Sequence, residues 1–120
     1  MPSSENKIKN LFERFAEIRY VAFYEKGELI SRQKTDLNDT SSSDSDKYEE
    51  LLVNPVILTA ARQRGNIDCG GLNFVIIGYG NFFQLICEIP DGHVSICLDK
   101  KADLSQLPKQ ILQFLGITIN

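Results

Sequence analysis

Apolar residues near the start of the chain recur at three- and four-residue steps, which is the spacing of one buried helical face. The residues with this spacing are Ile8, Leu11, Phe12 and Phe15. Ser3 or Ser4 precedes them and can serve as the helix N-cap, because a serine hydroxyl accepts a hydrogen bond from the first helical turn. The pattern therefore predicts a first helix that begins at one of these serines.

Two segments rich in β-branched and aromatic residues follow, at 19–25 and 28–34, and Lys26-Gly27 separates them. A two-residue connection of this type predicts a β-hairpin. The register that the turn sets gives the opposed pairs Tyr24–Leu29 and Phe23–Ile30. Because both faces of this hairpin carry apolar side chains, we expect it to be covered on both sides.

The segment 35–46 consists almost entirely of polar residues. Such a composition buries too little apolar surface to offset the entropy lost on ordering, so it predicts a mobile polar loop. The next segment, 46–64, predicts a helix with a kink at Asn54-Pro55, where asparagine would cap a second helical stretch and proline would begin it. Gly65, preceded by two arginines in the last turn, predicts the end of this helix.

Three further strands are predicted in the second half of the chain. Their bounds are 72–79, 82–89 and 94–98. Gly80-Asn81 connects the first two, and the four residues 90–93 form a turn before the third. Pairing Ile89 with Val94 gives the three strands one shared apolar face.

A last helix is predicted from Ser105, as its N-cap, to Gly116. Its inward residues would be Leu107, Ile111, Leu112 and Leu115. The complete order is α-β-β-α-β-β-β-α, and antiparallel hairpins with helices on both faces form a three-layer α+β architecture close to the profilin-like class. At 120 residues the chain is expected to be a single domain, 1–120.

Composition and charge exclude several classes of function. The net charge is -3, and no run of lysine and arginine is present, so we expect no nucleic-acid partner. The apolar runs are no longer than a strand and the N-terminus is polar, so we expect neither a membrane span nor export. Three cysteines, an odd number, agree with reduced thiols in the cytoplasm.

The sequence offers little for catalysis. His93 is the single histidine, and its place at the end of the predicted turn indicates an exposed residue with a local structural role. The pattern places Cys87 on the core face and Cys97 on the opposite face, so neither lines up with His93 as a nucleophile with its base. The cysteine spacing does not fit a zinc site. We therefore predict no enzyme activity, no cofactor and no metal.

The element order, the polar loop before the long helix and the stretch 54–61, which leads through Gly70-Gly71 into three strands, resemble the roadblock family, named for dynein light chains. Longin and profilin folds are neighbouring alternatives. The resemblance implies a five-stranded antiparallel sheet in the order 2-1-5-4-3. It also implies that the long helix covers one face and the first and last helices cover the other.

The family that the chain resembles is non-catalytic, and its members dimerise through the third strand and the long helix. Many of them regulate or scaffold Ras-like GTPases or motor complexes. The resemblance therefore implies a homodimer, or a heterodimer with a related domain, and a small GTPase as a further partner. The interface residues that we predict are Ile57, Ala60, Ala61, Arg64, Leu72, Phe74, Val75, Ile76 and Ile77. An apolar strand at a sheet edge favours such pairing.

The alternative function is that of a small-molecule sensor, because sheets of the profilin-like class bind ligands between sheet and helix. The aromatic residues that would line such a pocket are Tyr20, Tyr24, Phe74 and Phe82. Plain core packing is the structural explanation for the same residues.

Overall fold

A computed structural model describes residues 3–34 and 43–119. Its elements are α1 Ser4–Arg14, β1 Ile18–Glu25, β2 Glu28–Gln33, α2 Ser43–Tyr48, a π-helical turn Glu49–Val53, α3 Asn54–Asp68, β3 Val75–Gly78, β4 Phe82–Ile89, β5 Gly92–Asp99 and α4 Leu107–Phe114. The strands form one five-stranded antiparallel sheet in the order β2-β1-β5-β4-β3. The predicted α+β class, element order and sheet order are confirmed.

Helices lie on both faces of this sheet. On one face, α1 and α4 enclose the main apolar core with alternate residues of the strands. The fully or almost fully buried members of this core are Ile8, Leu11, Phe15, Ile18, Val21, Phe23, Leu85, Cys87, Val94, Ile96, Leu98, Leu107, Ile111 and Leu112. The other face, under the helical segment that contains α3, carries Ile86 together with buried polar residues, and Leu58 of α3 is also buried. No helix in the described ranges is both long and apolar enough to cross a membrane.

The first hairpin has the predicted register, with Phe23 opposite Ile30. The β4–β5 pairing instead places Ile89 opposite Gly92, so the predicted pairing of Ile89 with Val94 is wrong by two residues. The turn contains two residues rather than four, and Asp91 adopts a left-handed conformation with φ of 65°. Because side chains alternate with a period of two, this shift leaves every residue on its predicted face.

The long helical segment is continuous through α2, the π-helical turn and α3, so the predicted cap at Asn54 is wrong. Asn54 has helical backbone angles, φ of -64° and ψ of -44°, and its side chain binds another residue of the helix. The predicted end at Gly65 is also wrong, since α3 continues to Asp68. Gly65 is required for another reason: a Cβ there would lie 3.0 Å from the backbone of Gly71, which passes against the helix.

The predicted starts of β3 and α4 both shift. β3 begins at Val75, so Leu72 and Phe74 precede the strand and do not belong to it. α4 begins at Leu107 with Gln106 before it, and the predicted cap Ser105 binds Asp103 instead.

The predicted polar loop covers 35–46, of which 35–42 lies outside the described residues. Residues 43–46 already belong to α2, so the predicted end of this loop is wrong.

Candidate functional site

The predicted interface residues of the long helix differ in exposure. Ala60 and Arg64 are exposed, whereas Ile57 and Ala61 are half-buried. Arg64 forms an exposed ion pair with Asp68 at 2.7 Å. Two of the four helical residues are therefore directly available to a partner.

The predicted interface residues of the third strand lie at one edge of the sheet. Among the described strands, β4 is the one neighbour of β3, and Val75, Ile76 and Ile77 belong to β3. Ile76 packs against the main core, as does Phe74 just before the strand. Leu72 is half-buried and also precedes the strand. The described structure thus presents a short edge strand beside the long helix.

The long helical segment exposes more apolar surface than the sequence analysis assigned to an interface. We call its exposed large apolar residues the outer apolar stripe: Tyr48, Leu51, Leu52, Val56 and Ile67, with exposed fractions of 63%, 48%, 49%, 60% and 75%. The only other exposed large apolar residues in the described ranges are Tyr79 and Phe114. Exposed apolar residues that gather on one helix are typical of interaction surfaces.

A buried carboxylate lies on the inner side of the same helical segment. Glu50 is 0% exposed and has three hydrogen-bond partners. The Tyr20 hydroxyl donates to Oε2 at 3.2 Å, Asn54 Nδ2 donates to Oε1 at 2.9 Å, and His93 Nε2 lies 2.7 Å from Oε1. In the tautomer that carries its proton on Nε2, His93 donates this bond to the Glu50 carboxylate. We call these four residues the Glu50 cluster.

Local structure explains how the cluster assembles. Tyr20 of β1 and His93 of β5 project from the sheet face that the long helical segment covers, because Tyr24 pairs with His93 and Tyr20 pairs with Cys97. Glu50 and Asn54 are four residues apart on the helical segment and point to that face together. The cluster therefore ties two neighbouring strands to the helix.

The predicted exposed position of His93 is wrong. The residue is 3% exposed because β5 begins at Gly92, which takes His93 out of the turn and into the strand. Its ring centre lies 5.6 Å from that of Tyr24. The histidine is consequently enclosed by the sheet and the helix.

The electrostatics of the cluster keep neighbouring groups protonated. Burial, followed by the charges of Glu50 and Asp46, raises the pKa of Tyr20 far above its usual range, so its hydroxyl remains a donor. Burial and the charge of Glu50 also raise the pKa of Cys97. Cys97 is thus held as a thiol, and it is not activated as a nucleophile.

A second polar pair lies on the same sheet face. Gln84 Nε2 donates to Ser95 Oγ at 2.7 Å, and both side chains are buried. Within the described ranges, Gln84 Oε1 and Asn54 Oδ1 are buried without a hydrogen-bond partner. Polar groups therefore occupy much of the contact between the sheet and the long helix, where apolar packing is usual.

Two contacts at the edge of the interface between the sheet and the long helical segment also join these two parts. The Tyr79 hydroxyl, just after β3, donates to Glu49 Oε2 at 3.1 Å. Arg62 Nε lies 3.0 Å from Glu88 Oε2, in a partly exposed ion pair between α3 and β4. Glu49 and Glu50 thus attach the π-helical turn to two places on the sheet.

The comparisons with known proteins add no relative. No family model matches the chain, and no curated protein matches it. The roadblock resemblance stays a prediction from the element order and from the stretch 54–61.

The Glu50 cluster does not have the arrangement of a catalytic site. His93 contacts Glu50 at 2.7 Å and no serine or cysteine by a hydrogen bond in the described part, and it is sealed from solvent. Nucleophilic catalysis needs a nucleophile within reach of the base and a substrate within reach of both. The described residues also contain no group of three or more metal-binding side chains. The geometry is that of a structural network.

The aromatic residues of the sensor alternative do not converge on one pocket. Tyr20 belongs to the Glu50 cluster, Phe74 packs on the opposite core, and Phe82 packs against Tyr79 with ring centres 5.2 Å apart. A groove of about 540 Å³ lies elsewhere, between α1 and β2. Its lining residues are Glu5, Ile8, Lys9, Phe12, Glu13, Arg32, Gln33 and Lys34. None of the four predicted aromatic residues is among them.

Sequence reasoning missed the Glu50 cluster because its members are polar residues in elements identified by apolar ones. The signal present was the four-residue spacing of Glu50, Asn54 and Leu58, all of which are buried on one helical face. Between them, Leu51 and Leu52 gave the stronger helical signal, yet both are about half exposed. The apolar residues that predicted the helix are the ones it presents to solvent.

Proposed function

We propose that this chain is a non-catalytic protein-interaction module that works as a dimer. We propose further that it regulates or scaffolds a small Ras-like GTPase. The observation that carries the first proposal is the outer apolar stripe, whose large side chains are all exposed on one helical segment. The second proposal rests on the resemblance to the roadblock family.

The stripe favours a partner for energetic reasons. Burying apolar surface contributes roughly 25 cal/mol per Å², and side chains such as Tyr48 and Val56 are more than half exposed. In a two-fold dimer the same patch meets its copy, so one helix surface supplies both sides of the contact. The edge of β3 that pairs with no described strand offers backbone hydrogen bonds to the same partner.

The Glu50 cluster supports the non-catalytic part of the proposal. His93 and Glu50 are the strongest candidates for acid–base chemistry in the described residues, and their side chains are 3% and 0% exposed. They bind each other and the elements around them, so their role is to hold the helix on the sheet.

Light scattering of the purified chain at tens of micromolar tests the dimer, because associations of roughly micromolar affinity are mostly formed at that concentration. We expect the mass of a dimer for the parent and of a monomer for Val56→Glu, which places a charge in the stripe. Gln110→Glu, at an exposed position of α4 on the opposite face of the sheet, is the control and should remain a dimer. A monomeric parent would refute the homodimer and leave a heterodimer with a related domain.

Binding of purified Ras-like GTPases, loaded with GDP or a GTP analogue, to the immobilised chain tests the partner. We expect one of them to bind with a preference for one nucleotide state. If none binds, the GTPase proposal fails while the dimer is unaffected.

A further inference from the structure

We propose that Glu50 acts as a latch for helix register: its buried hydrogen bonds hold Glu49–Val53 in π-helical form, and this turn sets which apolar side chains the helix presents to a partner. The effect on a partner rests on the proposed function. The effect on the helix does not.

The π-helical turn contains one residue more than an α-helix would use. The Asn54 N–H donates to the carbonyl of Glu49, five residues earlier, whereas an α-helix would direct it to Glu50. Such turns are rare, occur mostly as single turns inside α-helices and are frequent at functional sites. Because the α-helical register is ordinarily preferred, the turn requires contacts that exist only in the π-helical register.

The Glu50 cluster supplies such contacts. Its three donors come from three different elements: Tyr20 from β1, His93 from β5 and Asn54 from α3. Conversion of this turn to α-helix, which accommodates one residue fewer, would rotate the preceding helical segment by about 100° relative to α3. That rotation would carry the Glu50 carboxylate away from both strands, and a buried charge without its partners is strongly unfavourable.

The same rotation would change the outer apolar stripe. Tyr48, Leu51 and Leu52 lie in or before the π-helical turn, whereas Val56 and Ile67 lie after it. The π-helical register therefore sets the side of the helix on which the residues before the turn lie relative to those after it. With the π-helical turn in place, Leu51 and Leu52 are both about half exposed. Neutralising or removing Glu50 should release this alignment.

NMR tests the register directly. The register is identified by the residue whose backbone carbonyl accepts the hydrogen bond from the Asn54 amide. In the parent, through-space contacts should connect Asn54 with Glu49, as in a π-helix. In Glu50→Leu we expect these contacts to be replaced by the α-helical pattern, in which Asn54 pairs with residue 50. Glu49→Gln is the matched control. It changes the neighbouring carboxylate, which does not bind the cluster, and should keep the π-helical pattern.

A folded Glu50→Leu variant that keeps the π-helical contacts overturns the proposal. If that variant does not fold, Tyr20→Phe decides, because it removes a single donor and keeps the ring. We expect hydrogen exchange of the Asn54 amide to be about tenfold faster in Tyr20→Phe, the equivalent of one lost hydrogen bond. Unchanged exchange would overturn the latch as well.

These readouts do not require a dimer. A register change in a chain that stays monomeric would therefore support the latch while refuting the dimer. If the dimer forms and the register does not change, the proposed function stands and the latch fails.

Discussion

His93 Nε2 lies 2.7 Å from Glu50 Oε1, and the two side chains are 3% and 0% exposed. This contact spans 43 positions of sequence and joins β5 to the π-helical turn. It differs from a surface ion pair, because removing His93 leaves the buried Glu50 carboxylate with one hydrogen-bond partner fewer and no solvent to replace it. The contact therefore makes the single histidine of the chain a structural residue of the helix–sheet junction.

Replacing His93 with alanine should destabilise the fold strongly. Because the Glu50 carboxylate would lose a buried donor, we expect the free energy of unfolding to fall by about 3 kcal/mol. Urea unfolding followed by circular dichroism, at one fixed protein concentration, measures this change. Gln110→Ala, at an exposed position of α4, is the control and should change little. The exposed position predicted from the sequence would instead give His93→Ala an effect within about 0.5 kcal/mol.

Gly92 should tolerate no side chain. A Cβ at this position would lie 1.7 Å from the Tyr24 carbonyl oxygen, since β1 and β5 pass closely at the start of the strand. We expect Gly92→Ala to lower the free energy of unfolding by about 3 kcal/mol, or to prevent folding. Gly80→Ala is the matched control, because a Cβ there has no neighbour within 4 Å. Equal effects of the two substitutions would contradict the close approach.

The strands and the first hairpin were predictable because their signals are local, whereas the order of the strands in the sheet was implied only by the resemblance to the roadblock family. Alternating apolar residues and the two-residue turn at Lys26-Gly27 set the first hairpin, and its register was right. The β4–β5 register was wrong because the turn signal Pro90 to His93 does not say how many of its residues the turn uses. A tertiary contact decides the length of the turn, because the position beside the Tyr24 carbonyl has room only for a residue without a side chain, and Gly92 is that residue.

The Glu50 cluster could not be predicted because its stability depends on residues distant in sequence. A glutamate on a helix is ordinarily exposed, and only the donors on β1 and β5 make its burial favourable. The π-helical turn could not be predicted either, because one additional residue in a helix does not change the composition of the segment in a recognisable way. The edge position of the third strand and the helix surface beside it were expected because the resemblance implied the sheet order and apolar patterning supplied the residues.

The three cysteines should differ sharply in reactivity. Cys69 is exposed, whereas burial raises the pKa of Cys87 to about 11 and that of Cys97 above its usual range. Since the thiolate is the reactive form, alkylation at pH 8 should modify Cys69 first and the other two only after unfolding. Mass spectrometry of the time course measures this order. The Cys69→Ser variant should show no fast phase, and a fast phase in that variant would contradict the raised pKa of the Cys87 and Cys97 thiols.

Glu49 provides a prediction on pH, because its pKa is raised, first by burial and then by the charge of Glu50. The hydrogen bond from Tyr79 acts in the opposite direction and only partly offsets this. A carboxyl whose pKa is higher in the folded state binds protons on folding, so its ionised form opposes folding. The destabilisation by ionised Glu49 is absent at pH values below the pKa of this carboxyl in the unfolded chain, about 4.3, and complete at pH values above its pKa in the folded protein.

Glu49→Gln should therefore be more stable than the parent at pH 7, and the difference should vanish near pH 3.5, where the glutamate is mostly protonated. Glutamine retains the shape of the side chain and an oxygen that can accept the Tyr79 hydrogen bond. Thermal unfolding of the two proteins in the same buffers measures the difference, in which the titration of all other groups cancels. Glu13→Gln, at an exposed position of α1, is the control and should show no such dependence on pH. A parent more stable than Glu49→Gln at pH 7 would mean that the hydrogen bond from Tyr79 outweighs burial at the π-helical turn.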